Sequence, residues 1–269
     1  MYFNKICLKL KIKWLGGSKI NVFLDFEVAT KLELLQKLYE HLENTYQAWD
    51  LFCKPGCNLC CTDRIYTTSL EAYYLLERVS PEVLTRVSYL QSYPRPKITH
   101  NQTLLCYLQG TEPPLEDYPP QLSTCPFLDE KGLCMVYPYR PLMCRIMAST
   151  KSCEQGEASL PPFLFYVGTI ALQLAENIDI GGLYGNLFDL LKFLKDYKSE
   201  QVEEVPPYLL SNVDVDELPV LPEEKELRSW VGTFYRTPIT EEKSFRDVLQ
   251  ELREKFREKK SLSFLEEIF

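Results

Sequence analysis

Four thiols stand within nine consecutive residues of the chain: Cys53, Cys57, Cys60 and Cys61. Pro55 and Gly56 favour a tight turn between the first two, and a looping backbone can direct several sulfur atoms at one centre. Cysteine thiolates bind zinc at about 2.3 Å, and closely spaced cysteines also hold iron–sulfur clusters. Because successive side chains diverge in an extended backbone, adjacent Cys60 and Cys61 suit a cluster or two neighbouring centres better than one ion.

A second group of thiols lies downstream and completes the predicted set of ligands: Cys125, Cys134, Cys144 and Cys153. The only two histidines, His41 and His100, stand outside both groups. The predicted ligation is therefore nearly all thiolate, which suits zinc or an iron–sulfur cluster and disfavours magnesium or calcium. Arg140 and Arg145 are expected to supply positive charge and hydrogen bonds to the thiolates. An ordinary structural salt bridge is the alternative role for each arginine.

The even total of ten cysteines, which includes Cys7 and Cys106, also permits a disulfide framework. That framework requires an oxidising compartment and is typical of short chains without a sufficient core. Within residues 1–24, several lysines interrupt the apolar run that a signal peptide needs: Lys5, Lys9, Lys11, Lys13 and Lys19. We therefore expect a cytoplasmic protein with reduced thiols, and metal ligation rather than disulfides.

Composition limits the remaining function classes. The 269 residues carry a net charge of −8, which disfavours a nucleic-acid partner. No stretch approaches the roughly 20 apolar residues of a membrane-spanning helix. The sequence contains no phosphate-binding loop and no serine nucleophile elbow. It indicates neither a protein partner nor an oligomeric state.

Three segments are predicted: residues 1–50, 51–155 and 156–269. The first combines a β-hairpin, suggested by alternation across Lys9–Trp14 and a turn at Gly16–Ser18, with a helix. Apolar residues at helical spacing give that helix one buried stripe: Leu35, Leu38, Leu42, Tyr46 and Trp49. The predicted fold class is mainly α with a small N-terminal β-hairpin, and helices flank an irregular, metal-organised cysteine-cluster centre.

Within the middle segment, a capping box at Thr68–Glu71 predicts a helix to about Val79. Ser80 and Pro81 predict the start of another helix, which runs to about Ser92. Prolines between residues 94 and 120 then predict an extended or looping chain up to Cys125.

The third segment is predicted to be helical at Phe163–Asn177 and Leu187–Lys198, with Gly181–Gly185 between them as a helix terminator. An acidic, proline-bearing stretch follows over residues 203–224. A last helix is predicted from Thr240, with one apolar face: Phe245, Val248, Leu249, Leu252 and Phe256.

The combined motif over residues 50 to 150 resembles the YkgJ-type cysteine-cluster family. The resemblance is carried by Cys57-x2-Cys60-Cys61, then Cys125-Pro-Phe-Leu, then Cys134-x2-Tyr137-x2-Arg140-Pro141-x2-Cys144-Arg145. It implies a zinc- or iron-chelating domain and no defined biochemical activity.

Two enzyme classes provide an alternative interpretation, an iron–sulfur redox or methyl-transfer enzyme. The spacing Cys53-x3-Cys57-x2-Cys60 is that of radical S-adenosylmethionine enzymes, which hold a [4Fe-4S] cluster in a partial α/β barrel with a glycine-rich strand. Here the residues after Cys61 are predicted to be helical and proline-rich instead. A flagellin lysine methylase has a similar cysteine cluster. The main hypothesis is a protein that binds zinc or an iron–sulfur cluster through these cysteines, with [4Fe-4S] the favoured cluster type.

Overall fold

The structure is a computed structural model that describes residues 24–53, 56–87, 92–117, 121–155, 158–199, 204–216, 218, 220 and 224–266. It is mainly helical, as predicted. The helices are α1 Val28–Gln47, α2 Ser69–Leu76, α3 Pro81–Leu84, α4 His100–Leu108, α5 Leu142–Ile146, α6 Pro162–Ile178, α7 Leu187–Lys198, α8 Lys225–Tyr235 and α9 Phe245–Glu266. Most of the predicted hairpin lies outside the described residues.

A small antiparallel sheet joins the middle of the chain to its C-terminal part. Its strands are β1 Tyr66–Thr68, β2 Leu183–Asn186 and β3 Leu210–Ser211, in the order β1-β2-β3. Tyr66 pairs with Asn186, and Leu183 pairs with Ser211. The sheet lies where Gly181–Gly185 was predicted to end a helix. That prediction was incomplete, because Gly181 adopts a positive φ of 77° and turns the chain directly into β2.

A first core forms where α1 packs against α6, and α8 and α9 complete it. The predicted stripe of α1 is buried as far as Tyr46, whose hydroxyl donates to the carbonyl of Leu164 at 3.0 Å. Trp49 does not belong to the stripe. It lies beyond the end of α1, remains 39% exposed and stacks on Phe163. Fully buried members of the first core include Leu34, Leu38, Val167, Leu174, Phe234 and Phe245.

A second core lies under the sheet, between α2, α7 and the loops that carry cysteines. Its members include Leu75, Cys125, Phe127, Phe188 and Leu191. The predicted capping box is present, since the hydroxyl of Thr68 accepts from the backbone N–H of Glu71 at 3.3 Å. Among the described helices, none is both long enough and apolar enough to span a membrane.

Several element boundaries differ from the prediction. Helix α3 ends at Leu84, well before Ser92. Helix α4 lies inside the stretch that its flanking prolines predicted to be a loop, and Thr99 and Gln102 form a capping box there that the sequence contains. Helix α8 was also missed, and α9 begins at Phe245 rather than Thr240. Helices α6 and α7 confirm the two predicted C-terminal helices.

Candidate metal centre

Seven thiols converge on one cavity of about 80 Å³, called here the thiol cavity: Cys53, Cys57, Cys60, Cys61, Cys125, Cys134 and Cys144. The eighth predicted ligand, Cys153, lines an adjoining pocket together with Cys53 and Cys60. Cys106 is buried on α4 and lines neither space, whereas Cys7 lies outside the described residues. All nine cysteines among the described residues are free thiols.

Two irregular loops bring three of these thiols together through backbone pairing. The N–H of Cys125 donates to the carbonyl of Cys61 at 3.0 Å. The backbone of Cys134 pairs with that of Leu128 in a single antiparallel β-bridge. Gly132 allows the turn between these residues, because its φ is 75° and an added Cβ would clash with the side-chain amide of Asn58. These loops contain little regular structure, so the backbone bridges and the packing of the thiols set the positions of the sulfur atoms.

Cys144 and Cys53 reach the cavity from other parts of the chain. Cys144 lies on α5, whose first N–H, that of Leu142, donates to the Glu71 carboxylate at 2.6 Å. Cys53 follows Phe52, whose N–H donates to the carbonyl of Ser149 at 2.8 Å. The cavity is thus assembled from segments that are far apart in sequence, which spacing arguments predict only in outline.

Backbone N–H groups point at several of the sulfur atoms. The N–H of Phe127 donates to Cys125, and that of Val136 donates to Cys134, so both bonds come from the residue two positions downstream. Such bonds favour the thiolate and lower its pKa. Burial has the larger effect: it raises the pKa of Cys125 to about 11 and also raises the pKa of Cys134 and Cys144. Without a cation, these buried thiols therefore keep their protons.

The adjacent thiols of Cys60 and Cys61 behave as a pair. The pKa of Cys60 is lowered to about 6, chiefly by a hydrogen bond from the Cys61 thiol and, to a smaller extent, by the nearby Arg140 guanidinium. The same bond is the main cause of a raised pKa for Cys61. Cys60 is also exposed, while Cys61 is half-buried. The pair holds one thiolate at neutral pH, and that thiolate faces solvent.

Arg140 is one of two arginines that line the thiol cavity. Its charge acts on the thiols of Cys60, Cys134 and Cys144. Its guanidinium lies 3.6 Å above the ring centre of Tyr137. The buried Nε of Arg140 has no hydrogen-bond partner. A buried donor without an acceptor is uncommon in proteins, and a negatively charged metal–thiolate group in this cavity would supply one.

Arg145 has a different environment. Its Nε donates to the carbonyl of Arg140 at 2.7 Å, and its guanidinium forms an ion pair with Glu43 and lies 4.1 Å above the ring of Tyr39. Of the two predicted arginines, the structure brings Arg140 to the thiols and places Arg145 in a structural ion pair. Arg145 fixes the chain before α5, because it also binds the carbonyl of Pro138 at 2.9 Å.

The donor chemistry of the thiol cavity fits a soft metal. Besides the seven thiols, two methionines, Met143 and Met147, and two arginines, Arg64 and Arg140, line it. Thiolate and thioether ligands select zinc, copper(I) and iron–sulfur clusters. In the described part of the chain, no three Cys, His, Asp or Glu side chains lie close enough together to hold one ion at their present positions.

Glu71 is a residue near the site that sequence reasoning missed. Its only visible signal was the capping box, which explains one of its contacts. The structure adds bonds from the N–H of Leu142, from the hydroxyl of Tyr39 at 3.0 Å and from the hydroxyl of Thr67 at 2.6 Å. These partners lie on other elements, so helix propensity could not indicate them.

Comparison with known proteins identifies the middle segment. Residues 52–160 match the model of the CxxCxxCC family, described as "Putative zinc- or iron-chelating domain". This is the YkgJ-type family, and the matched segment contains the eight predicted cysteine ligands. No curated protein and no solved structure gives a significant match.

Proposed function

We propose that residues 52–160, as a zinc- or iron-chelating domain of the CxxCxxCC family, hold an iron–sulfur centre in the thiol cavity. The ligands come from the eight cysteines that the sequence singles out: Cys53, Cys57, Cys60, Cys61, Cys125, Cys134, Cys144 and Cys153. The observation that carries the proposal is the convergence of seven thiols and the unpartnered Nε of Arg140 on one cavity.

The size of the cavity favours a cluster over zinc. A volume of about 80 Å³ exceeds several-fold the roughly 10–15 Å³ that one water molecule requires by a comparable measure. A structural zinc ion takes four ligands at about 2.3 Å and leaves no internal space. A [4Fe-4S] cluster contains several metal and sulfide atoms, and its irons accept cysteine thiolates around a larger body. Zinc remains the alternative metal.

Specific residues would tune such a centre. The N–H groups of Phe127 and Val136 already donate to the sulfur atoms of Cys125 and Cys134, and hydrogen bonds to cluster sulfurs adjust reduction potential. Arg140 offsets the negative charge of the thiolates. When bound, an iron–sulfur cluster supplies one-electron transfer. A cytoplasmic location would keep the thiols reduced and available for binding.

The radical S-adenosylmethionine alternative gains no support from the fold. Those enzymes are expected to have parallel strands that alternate with helices. The sheet of the described residues has three short antiparallel strands, and the segment Leu183–Asn186 forms its middle strand. We therefore favour a metal-binding or electron-transferring domain over a barrel enzyme.

The metal content of protein purified without oxygen tests the proposal. We expect a brown protein that contains iron and acid-labile sulfide, and that loses both on exposure to air. A colourless protein with stoichiometric zinc would show that the thiol site binds zinc and not an iron–sulfur cluster. Protein that contains no metal, even after reconstitution with iron and sulfide or with zinc, would contradict the proposal entirely.

A further inference from the structure

We infer that the eight thiols form two sets of four and so hold two metal centres. The inference rests on the proposed function, since it requires that the thiols bind metal. The inner set is Cys61, Cys125, Cys134 and Cys144. The outer set is Cys53, Cys57, Cys60 and Cys153.

Packing distinguishes the inner set. Cys125 is 8% exposed and belongs to the second core, and the other three inner cysteines pack against that same core. The four outer cysteines lie outside that core. The inner thiols are also neighbours of one another: Cys144 lies within electrostatic reach of Cys125 and Cys134, and Cys61 lies within reach of Cys125 and Cys144. Cys60 lies within reach of both Cys61 and Cys144, so it stands where the two sets meet, and packing rather than electrostatics assigns it to the outer set. The inner set therefore occupies the apolar side of the thiol cavity.

The neighbours of Cys53 define the outer set. The thiols that act on it electrostatically are Cys57, Cys60 and Cys153. The short 3₁₀ turn Cys153–Gln155 carries Cys153, which reaches this set from the far end of the matched domain. The N–H of Phe52, the residue before Cys53, donates to the carbonyl of Ser149, so both ends of the domain meet at the outer set.

The adjacent cysteines Cys60 and Cys61 belong to different sets because their side chains point in different directions. Side chains of consecutive residues in a non-helical backbone point in different directions. Cys61 packs against the second core, while Cys60 is exposed and lines the adjoining pocket with Cys53 and Cys153. Assignment of one thiol to each set lets both ligate without distortion of the backbone between them.

The two sets differ in their access to solvent. The adjoining pocket has a volume of about 360 Å³, and its walls are mainly apolar, with Phe165 and Met147 among its exposed residues. Cys53, Cys60 and Cys153 stand in its wall. A small chelator can therefore reach these three outer thiols through this pocket, whereas the inner thiols line the thiol cavity and not this pocket.

Paired substitutions test the division through metal content. The variants are Cys134→Ser and Cys125→Ser for the inner set, and Cys57→Ser and Cys153→Ser for the outer set. Metal per chain is measured after anaerobic reconstitution, and circular dichroism reports whether each variant has folded. Cys106→Ser is the control, because Cys106 is buried but lines neither space.

We expect each single variant to lose part of the metal and keep the rest. A double variant within one set should match its single variants, whereas Cys125→Ser with Cys153→Ser should lose nearly all metal. Brief treatment of the wild type with a chelator should lower its metal per chain to that of Cys153→Ser. If the inner variants do not fold, the metal content of Cys153→Ser alone tests the inference, since partial retention of metal supports two centres.

Complete loss of metal in Cys153→Ser, or no loss at all, would overturn the inference, and so would equal metal content in the cross-set and within-set double variants. In those cases the proposed function stands, because the wild type still binds metal. A wild type without metal would instead refute the proposed function, and this inference with it.

Discussion

The carboxylate of Glu71 accepts a hydrogen bond from the backbone N–H of Leu142 at 2.6 Å. Glu71 is 1% exposed, and burial raises the pKa of its carboxyl above the usual range. Leu142 is the first residue of α5, and Cys144 follows two positions later. The contact therefore fixes the helix that carries a buried thiol to α2, on which Glu71 lies.

Replacement of Glu71 tests this anchoring. In Glu71→Gln, an amide N–H₂ must occupy the place of one oxygen, and there it meets a backbone donor, either the N–H of Thr68 or the N–H of Leu142. A buried polar group left without a partner costs about 1–3 kcal/mol. We expect the free energy of unfolding to fall by that amount and metal retention to fall with it.

Glu77→Gln is the matched control for denaturant unfolding of the metal-bound protein. Glu77 follows α2 and pairs with Lys198 at the surface, where such pairs contribute roughly 0–1 kcal/mol. If Glu71→Gln were no more destabilising than Glu77→Gln, and retained its metal equally well, Glu71 would not position α5.

The two arginines should respond differently to substitution. Arg140→Ala removes the Arg140 charge from the thiol cavity, and Arg140→Lys keeps that charge but loses the planar fork. Because the Arg140 Nε is buried without a partner, we expect both variants to bind metal more weakly than the wild type in competition with a chelator. Equal metal affinity in all three proteins would show that Arg140 does not interact with the metal centre.

Arg145→Lys should act on stability instead. The variant loses the bonds to the carbonyls of Arg140 and Pro138 and the stacking on Tyr39. We expect a lower melting temperature with a smaller change in metal affinity than in Arg140→Lys. A loss of affinity at least as large as that of Arg140→Lys, without loss of stability, would place Arg145 at the thiols.

Glu176 predicts a pH dependence that is separate from the thiols. It is fully buried on α6, and it accepts from the N–H of Asn101 at 2.9 Å and from that of Val213 at 2.8 Å. Burial raises its pKa from 4.5 to about 7. Between pH 4.5 and about 7, the folded state holds a proton on Glu176 that the unfolded state has released, so stability falls as the pH rises. Across this range the free energy of unfolding falls by about 3 kcal/mol.

Comparison of Glu176→Gln with the wild type isolates this effect. His100, whose pKa burial lowers to about 4, is present in both proteins and cancels in the difference. We expect the variant to gain stability relative to the wild type as pH rises from below 4.5 to above 7, as measured by denaturant unfolding. Parallel pH profiles would show that Glu176 has an ordinary pKa.

Removal of the metal should loosen the loops around the thiols. Their positions depend on a few backbone bonds, such as Cys125 N–H to Cys61 and Met135 N–H to Phe127, and after chelation no metal–sulfur bond holds the loops together. After chelation, we expect faster hydrogen exchange at these amides while the buried amides of α6 stay protected. Unchanged exchange in a verified metal-free protein would contradict this.

The sequence predicted helices best where periodicity and capping were local. The stripe of α1 up to Tyr46 and the capping box at Thr68–Glu71 are both present. The same capping signal, at Thr99 and Gln102, was overlooked because the surrounding prolines suggested a loop. Strand β2 could not be predicted from Leu183–Asn186 alone, since its partners are more than twenty residues away or across the middle segment.

The candidate site shows the same limit. Cysteine spacing singled out the seven thiols that line the cavity, but it did not show how loops distant in sequence bring them together. The contact between Glu71 and Leu142, and the separation of Arg140 from Arg145, depend on how distant segments pack. No spacing rule encodes these contacts, so they became visible only in the fold.

The metal content of two buried-cysteine variants tests the central claim most directly. Cys144 lies on α5 and lines the thiol cavity, whereas Cys106 lies on α4 and does not. Each is changed to serine, a harder and poorly ionised ligand, and metal per chain is measured after anaerobic purification. We predict that Cys144→Ser contains clearly less metal than the wild type, and that Cys106→Ser contains as much. Full retention of metal in Cys144→Ser, or equal loss in both variants, would contradict a metal centre in the thiol cavity.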